Sequence, residues 1–399
     1  MAAAPSLAVP NLDSLELQGQ RVLVRVDFNC PQDDAGAISD DTRIRAALPT
    51  IRELLTKSAR PILLSHLGRP KGKVVESMRL APMGARLQEL LGSPVVILKE
   101  STGPVVVDAI AAAPKGSVVL LENVRFHAGD EKGDAALAAQ WAQLGDCFVN
   151  DAFGAAHRDH ASVCGIARLL PSAAGRLMEK EIAAFGRVLE KPERPLVAIL
   201  GGAKVSEKLQ VVDHLLDKVD ALLVGGGMAY TFLAAQGRSV GKSLVQQDQL
   251  DAVRAALTKA AARKVEILLP DDHVCAEAFD ENAKPIEVGV EIPDGLMGLD
   301  IGPKSRARYA ARILSAKTVV WNGPMGVFEW PSFRAGTAAV GRAVADSSGY
   351  TVVGGGDSVA AVEMLGLASR IRHISTGGGA SLELLETGTL PGIQALQKR

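Results

Sequence analysis

The sequence predicts an α/β protein of two doubly wound parallel-sheet lobes joined by a hinge helix. Three observations predict it. Short, near-continuous apolar runs alternate with longer stretches of helical period, and apolar strands spaced by helices belong to parallel sheets covered on both faces. The 399 residues exceed the roughly 150 of a typical domain. Near the middle, Lys191-Pro192-Glu193-Arg194-Pro195 breaks the rhythm, because each proline disfavours helix in the residue before it.

In the first half the strand-like runs are residues 21–26, 61–64, 94–98, 117–121 and 147–149. Between them, residues 42–55 and 83–91 repeat apolar side chains at three and four, as half-buried helices do. Residues 177–189 form a helical segment that runs into the proline break, the expected hinge helix. The rhythm resumes at 196–200, 221–224, 265–269, 318–321, 351–353 and 372–375. The predicted division is a first lobe over residues 1–176, a connecting helix and hinge over 177–194, and a second lobe over 195–388. No repeat of fixed period is visible, which excludes a solenoid.

Lys and Arg number 44 against 45 Asp and Glu, a net charge of −1. That balance lacks the basic footprint of a nucleic-acid binder. The 47% hydrophobic content suits a packed globular chain, and a core of this size needs no disulfide or metal to fold. No run reaches the roughly 18 uninterrupted apolar residues of a membrane span. The N-terminal segment has no basic or long apolar region of the secretory kind. Cys30, Cys147, Cys164 and Cys275 are scattered, with no C-x-x-C pair, so reduced, mostly buried thiols in a cytoplasmic protein are expected.

Ligands of open α/β sheets bind beyond the carboxyl ends of the strands. In the first lobe those positions carry Asp27-Phe28-Asn29, Ser65-His66-Leu67-Gly68-Arg69-Pro70, Glu122-Asn123-Val124-Arg125-Phe126-His127, and the stretch from Asn150 to His157-Arg158. Arg43 opens the helical segment after the first strand. Parallel strands would bring Arg43, His66, Arg69, Arg125, His157 and Arg158 to one rim, where planar guanidinium forks suit phosphate or carboxylate. Any one of these arginines alone reads as a solvated charge; four at successive strand ends read as an anion site. The second lobe puts glycine in the same places: Gly201-Gly202-Ala203-Lys204, Gly225-Gly226-Gly227, Asn322-Gly323-Pro324, Gly354-Gly355-Gly356-Asp357-Ser358 and Thr376-Gly377-Gly378-Gly379. Glycine admits close approach to backbone N–H groups, and a helix starting there adds its positive end.

Three other motifs fail. Gly237-Arg238-Ser239-Val240-Gly241-Lys242-Ser243 is one residue short of a P-loop and follows no strand-like run. The triple-glycine loops place Tyr230, Val359 or Leu382 where a dinucleotide fingerprint needs its third glycine. His157-Arg158-Asp159 lacks the metal-binding Asn of a protein-kinase loop, Cys164 standing there instead. His157 and His160 find no third metal ligand at good spacing. An arginine cradle and a glycine-rich surface together suit phosphoryl transfer between a small anion and a nucleotide, a reaction of positioning and charge stabilisation. Asp357 reads equally as a Mg²⁺ anchor or as a cap of the helix beginning near Ser358.

From about Leu12 to the end, the ordered motifs resemble phosphoglycerate kinase. The first half carries Arg25-Val26-Asp27-Phe28-Asn29, Ser65-His66-Leu67-Gly68-Arg69-Pro70 and Glu122-Asn123-Val124-Arg125-Phe126-His127. The second carries Gly201-Gly202-Ala203-Lys204-Val205, Trp321-Asn322-Gly323-Pro324, Gly354-Gly355-Gly356-Asp357 and Ser375-Thr376-Gly377-Gly378-Gly379-Ala380-Ser381. The resemblance implies two Rossmann-like lobes, with the tail 389–399 packed back on the first. It implies reversible transfer of phosphate from 1,3-bisphosphoglycerate to ADP, giving 3-phosphoglycerate and ATP with Mg²⁺, in a monomer. Asp27, Asn29, Arg43, His66, Arg69, Arg125 and Arg158 would bind 3-phosphoglycerate. Lys204, Lys208, Gly298, Glu329, Gly355, Gly356, Asp357 and Ser358 would bind the nucleotide, with Asp357 on the metal. Arg43, Lys204, Gly377 and Gly378 would act on the phosphoryl group in transit. Ser358 stands where Thr is usual, Ala155 replaces a usual Thr, Asp271-Asp272-His273 replaces an apolar stretch, and Thr387-Gly388 reorders a usual Gly-Lys. None of these alters an arginine of the rim or a phosphate-binding lysine.

Overall fold

The computed structural model describes residues 6–397. By internal contacts the chain forms two units, one of residues 6–183 with 389–397 and one of residues 184–388.

The first unit is built on six parallel strands: β1 (Arg21–Arg25), β2 (Arg60–Leu64), β3 (Val95–Ile97), β4 (Val118–Leu120), β5 (Cys147–Asn150) and β6 (Ser172–Ala174), in spatial order β3-β4-β2-β1-β5-β6. β1, β2, β4 and β5 are almost wholly buried, which is why they read as unbroken apolar runs. β6 was absent from the sequence reading: Ser172-Ala173-Ala174 carries no β-branched or aromatic residue and is held by pairing with β5. The connection from β1 leads to β2 on one side, while β5 lies on the other. This reversal puts the switch point, where such sheets bind ligands, beside Asp27 and Asp151. The short helix Pro391–Gln397 returns to this unit, with Gly392 N–H donating to Ala156 O at 2.8 Å.

The second unit repeats the plan with β7 (Leu196–Leu200), β8 (Ala221–Val224), β9 (Glu266–Leu268), β13 (Thr318–Asn322), β14 (Tyr350–Gly354) and β15 (His373–Ile374), ordered β15-β14-β13-β7-β8-β9 and all parallel. Its switch point lies between β7 and β13. A separate antiparallel sheet of β10 (His273–Ala276), β11 (Ile286–Val288) and β12 (Met297–Ile301) had no counterpart in the sequence reading. The helix Arg176–Leu189 begins one residue before the expected hinge helix and ends at the same residue. All four cysteines are buried thiols outside any disulfide, and no helix among the described residues is long and apolar enough to cross a membrane.

The polar departure at Asp271-Asp272 has a structural use. Asp272 Oδ2 accepts from Lys304 N–H at 2.8 Å, and Oδ1 accepts from Ser305 N–H at 2.8 Å and Ser305 Oγ at 2.6 Å. These are unpaired donors at the start of the helix Pro303–Leu314. Asp300, fully buried on β12, fastens the helix Ala335–Asp346 in a similar way: Oδ2 accepts from Gly336 N–H at 2.6 Å, while Oδ1 is buried with no partner.

Two stability effects follow. Asp272→Ala lowers stability by about 1–2 kcal/mol, read as a lower urea midpoint at unchanged slope. Burial pushes the Asp300 carboxyl from 3.8 up to about 7. The native state therefore keeps a proton that the unfolded chain has released, and this residue's contribution to stability declines as pH rises from about 4 to about 7. Asp300→Asn should flatten that decline in unfolding curves recorded across this range.

Candidate functional site

The rim of the first unit is organised by hydrogen bonds between strand ends. Beyond β1, Asp27 is nearly buried; its Oδ2 accepts from Arg43 Nη1 at 2.7 Å and its Oδ1 from Asn29 N–H at 3.1 Å. Asn29 Oδ1 accepts from Gly68 N–H at 2.8 Å, and Ser65 Oγ accepts from Phe28 N–H at 2.9 Å, so the β1 and β2 loops are locked together. Arg125 Nη1 donates to Gly68 O at 2.9 Å, and its buried Nε makes no hydrogen bond but lies 3.6 Å from Glu131 Oε1.

The predicted basic residues do converge. Burial first, and then the guanidiniums of Arg25, Arg125 and Arg43, drive His66 well below its ordinary pKa against the pull of Asp27. His157 is pushed down to about 4 by burial and by Arg158, with His160 and Arg125 adding to it. Burial above all, with Arg69 adding to it, lowers Arg125 against the pull of Glu131, Asp130 and Asp27. Arg69 and Arg158 are exposed and form no ion pair among the described residues, so both forks are free for an anion.

Arg25 was read only as part of a motif. At the last position of β1 it is fully buried, donating from Nε to Ser162 Oγ at 3.1 Å and from Nη1 to Val26 O at 2.6 Å. Its Nη2 lies 3.2 Å from His66 Nδ1. An arginine inside a run otherwise apolar was the available signal. The pair His157 and His160 belongs to no group of three metal-ligating side chains among the described residues.

In the second unit a cavity of about 550 Å³ opens beyond the strand ends. Gly202-Ala203, Gly226-Gly227, Pro324 and Gly326 line it together with the predicted Gly298, Glu329 and Asp357. Its apolar wall is Leu244, Phe279, Met297, Leu299 and Val327. Phe279 is 65% exposed and packs against Trp330 with centroids 4.5 Å apart and the rings tilted by 47°, leaving an aromatic face suited to a heterocycle. The sequence reading missed this wall because much of it comes from the antiparallel insert, where no motif marked it. The rejected P-loop stretch still contributes: Lys242 lines the cavity, its Nζ donating to Glu277 O at 2.8 Å.

Several predicted nucleotide residues do not line the cavity. Lys208 Nζ donates to Gly201 O at 2.6 Å, Asn322 Oδ1 at 2.7 Å and Asn322 O at 3.3 Å, and burial pushes it down to about 8. Its nitrogen is committed to holding the loops after β7 and β13. Ser358 is buried and its Oγ accepts from Gly323 N–H at 2.5 Å. Gly377 N–H donates to Ser375 Oγ at 3.1 Å. Lys204 is exposed, 3.6 Å from Glu207. Gly355 (φ +90°) precedes the helix Gly356–Met364, and Gly378 (φ +51°) precedes the helix Gly379–Thr387; both conformations favour glycine. Asp357 is exposed in the first turn of its helix and makes no cap bond there, so the cap reading has no support in the geometry. One free carboxylate beside a cavity fits Mg²⁺, which commonly takes one or two carboxylates with phosphate and water.

The chain is similar to known proteins over nearly its whole length. The sequence profile of phosphoglycerate kinase matches residues 12–388. The phosphoglycerate kinase of Moorella thermoacetica is 56% identical over 394 residues, covering 98% of this chain and 100% of that protein. That of Gloeothece citriformis is 54% identical over 399 residues, covering 99% and 100%. Among solved structures, phosphoglycerate kinase from Coxiella burnetii superposes with a TM-score of 0.90 at 42% identity, covering 98% of this chain and 99% of that one. The Pyrococcus horikoshii enzyme gives 0.82 at 34%, covering 97% and 98%. With nearly the whole length matched in sequence and in fold, the chain belongs to the phosphoglycerate kinase family.

Proposed function

We propose that the guanidinium rim takes the three-carbon acid and the glycine-lined cavity takes the nucleotide in the family's reaction. That reaction is reversible phosphoryl transfer between 1,3-bisphosphoglycerate and ADP, giving 3-phosphoglycerate and ATP. The carrying observation is the free pair of forks, Arg69 and Arg158, beside the packed cluster of Asp27, Arg43, His66 and Arg125. The acid's carboxylate is the nucleophile in the ATP-consuming direction. It is already ionised at neutral pH, so the site needs no general base.

Arg43 is half-exposed with its Nη1 on Asp27; it supports the charge of the group in transit, as a positioned cation does. Asn29 and His66 orient the acid, His66 as a neutral ring. In the cavity, the Phe279 face and its apolar neighbours take the base, Gly298 and Glu329 lie toward the adenosine, and Lys204 meets the phosphates. Lys208 and Ser358 act through the loops they hold. Gly355, Gly356, Gly377 and Gly378 set backbone donors at helix starts. Mg²⁺, bound by Asp357 with the nucleotide phosphates, would neutralise phosphate charge. The reading includes an intracellular monomer acting without nucleic-acid or membrane partners. A dinucleotide oxidoreductase leaves the rim unexplained and lacks the glycine fingerprint, so NADH should not bind. A catalytically silent metabolite sensor is distinguished by turnover.

The test is ADP formation from ATP plus 3-phosphoglycerate. In that assay Arg43→Ala should lower kcat by about 10²–10³-fold, with the nucleotide KM little changed; a raised nucleotide KM at unchanged kcat would reject the role. The acid and nucleotide sites belong to different units, so in-line transfer calls for closure with both substrates bound, about the 185–195 region. Small-angle scattering should record a smaller radius of gyration with both ligands than with neither, and no compaction would count against closure.

A further inference from the structure

Tyr230, the third residue of the helix Met228–Ala235, is 4% exposed and lines the nucleotide cavity. No hydrogen bond of its hydroxyl is formed among the described residues, and the oxygen is not one of the sealed atoms left without a partner, so it opens on the cavity. It lies hard against the cavity wall: a Cβ built on Gly298 would stand 2.2 Å from that oxygen. The ring is fixed from behind by His273, with centroids 5.6 Å apart.

Buried phenol hydroxyls ordinarily find a partner, because leaving one unmade costs more than a made bond contributes. Apart from Tyr230, the polar side chains that line the cavity, Lys242, Glu329 and Asp357, are charged. Lys242 Nζ donates to Glu277 O, and Ser243 Oγ accepts from Gly298 N–H. Glu329 and Asp357 are exposed carboxylates. Tyr230 therefore supplies the uncharged donor and acceptor within an otherwise apolar wall of Leu244, Met297 and Leu299. Burial raises its phenol well above the ordinary value, so the hydroxyl keeps its proton and serves in either sense. A heterocycle entering that wall buries its polar edge and requires such a group.

Resting on the nucleotide reading of this cavity, we infer that the Tyr230 hydroxyl hydrogen-bonds the base of the bound nucleotide and is a specificity-determining contact of this chain.

The test is calorimetric binding of ADP and of 2′-deoxy-ADP to the full chain and to Tyr230→Phe. The variant should bind ADP roughly 3- to 10-fold more weakly, the range of one hydrogen bond, and 2′-deoxy-ADP more weakly by the same factor. Its thermal midpoint should be unchanged or higher, since no protein partner is lost. Equal ADP affinity in the two proteins overturns the inference. So does a loss that disappears with 2′-deoxy-ADP, which assigns the hydroxyl to the ribose. Failure of the wild-type chain to bind ADP overturns it too, whereas ADP binding without turnover of ATP and 3-phosphoglycerate sinks only the catalytic reading.

Discussion

The half-buried ammonium of Lys208 sits where β7 and β13 end side by side, beside the hydrogen bond from Gly201 N–H to Asn322 O. Its three N–H groups meet Gly201 O, Asn322 O and Asn322 Oδ1. Removing a cation from water is costly, and a buried charge survives only where several good bonds offset that cost. Bonds to a charged group contribute about 1.5–3 kcal/mol each. Burial pushes Lys208 down to about 8, with Asp357 pulling the other way, so it remains mostly charged at neutral pH. With the two loops pinned, their approach leaves no room for side chains: a Cβ on Gly201 would stand 2.0 Å from Pro324 O, and one on Gly226 would stand 2.6 Å from Gly202 N. The cavity is shaped by this packing before any ligand enters.

The first unit solves the same problem with Arg25. At the end of β1 its fork reaches Ser162 and the Val26 carbonyl while facing His66 Nδ1. Because His66 stays neutral, its ring nitrogen accepts that contact instead of repelling it. Basic groups in both units thus divide by burial. Arg25, fully sealed, and Lys208, partly so, hold strand ends in place, and those left open, Arg69, Arg158 and Lys204, keep donors for a ligand.

That division explains which parts of the site were legible. Parallel strands were readable because burial on both faces makes them continuously apolar, and β7 and β8 match their predicted runs residue for residue. The antiparallel insert was not, since the exposed or half-exposed Ile286-Glu287-Val288 carries no such pattern. The arginine rim was readable from its recurrence at strand ends. Lys204 and Lys208 were not separable, because they stand only four positions apart and the choice between cavity and interior is made by a partner 114 residues away in the chain, Asn322. Ser358 was read for its hydroxyl, which is present, but its direction depends on Gly323 packing above it.

Glycines divide on the same physical ground. Those of the first two loops are required by neighbouring backbone, as Gly201 and Gly226 show. Gly356, Gly378 and Gly379 are different: a Cβ on any of them would meet nothing within 4 Å. Protein packing does not account for the missing side chain at these three. They stand at or before the first turns of Gly356–Met364 and Gly379–Thr387, where unpaired N–H groups and the helix dipole favour negative charge. Gly378 has φ +51° as well, so its absent side chain serves the turn; Gly356 and Gly379 have no such backbone demand. The exposed loop glycines Gly289 and Gly295 also have ordinary φ and empty space around them, so such space points to a ligand only where a helix start supplies unpaired N–H groups. The start of the helix after β14, with Asp357 next to Gly356, joins such space to unpaired N–H groups, a combination whose chemistry suits a phosphate.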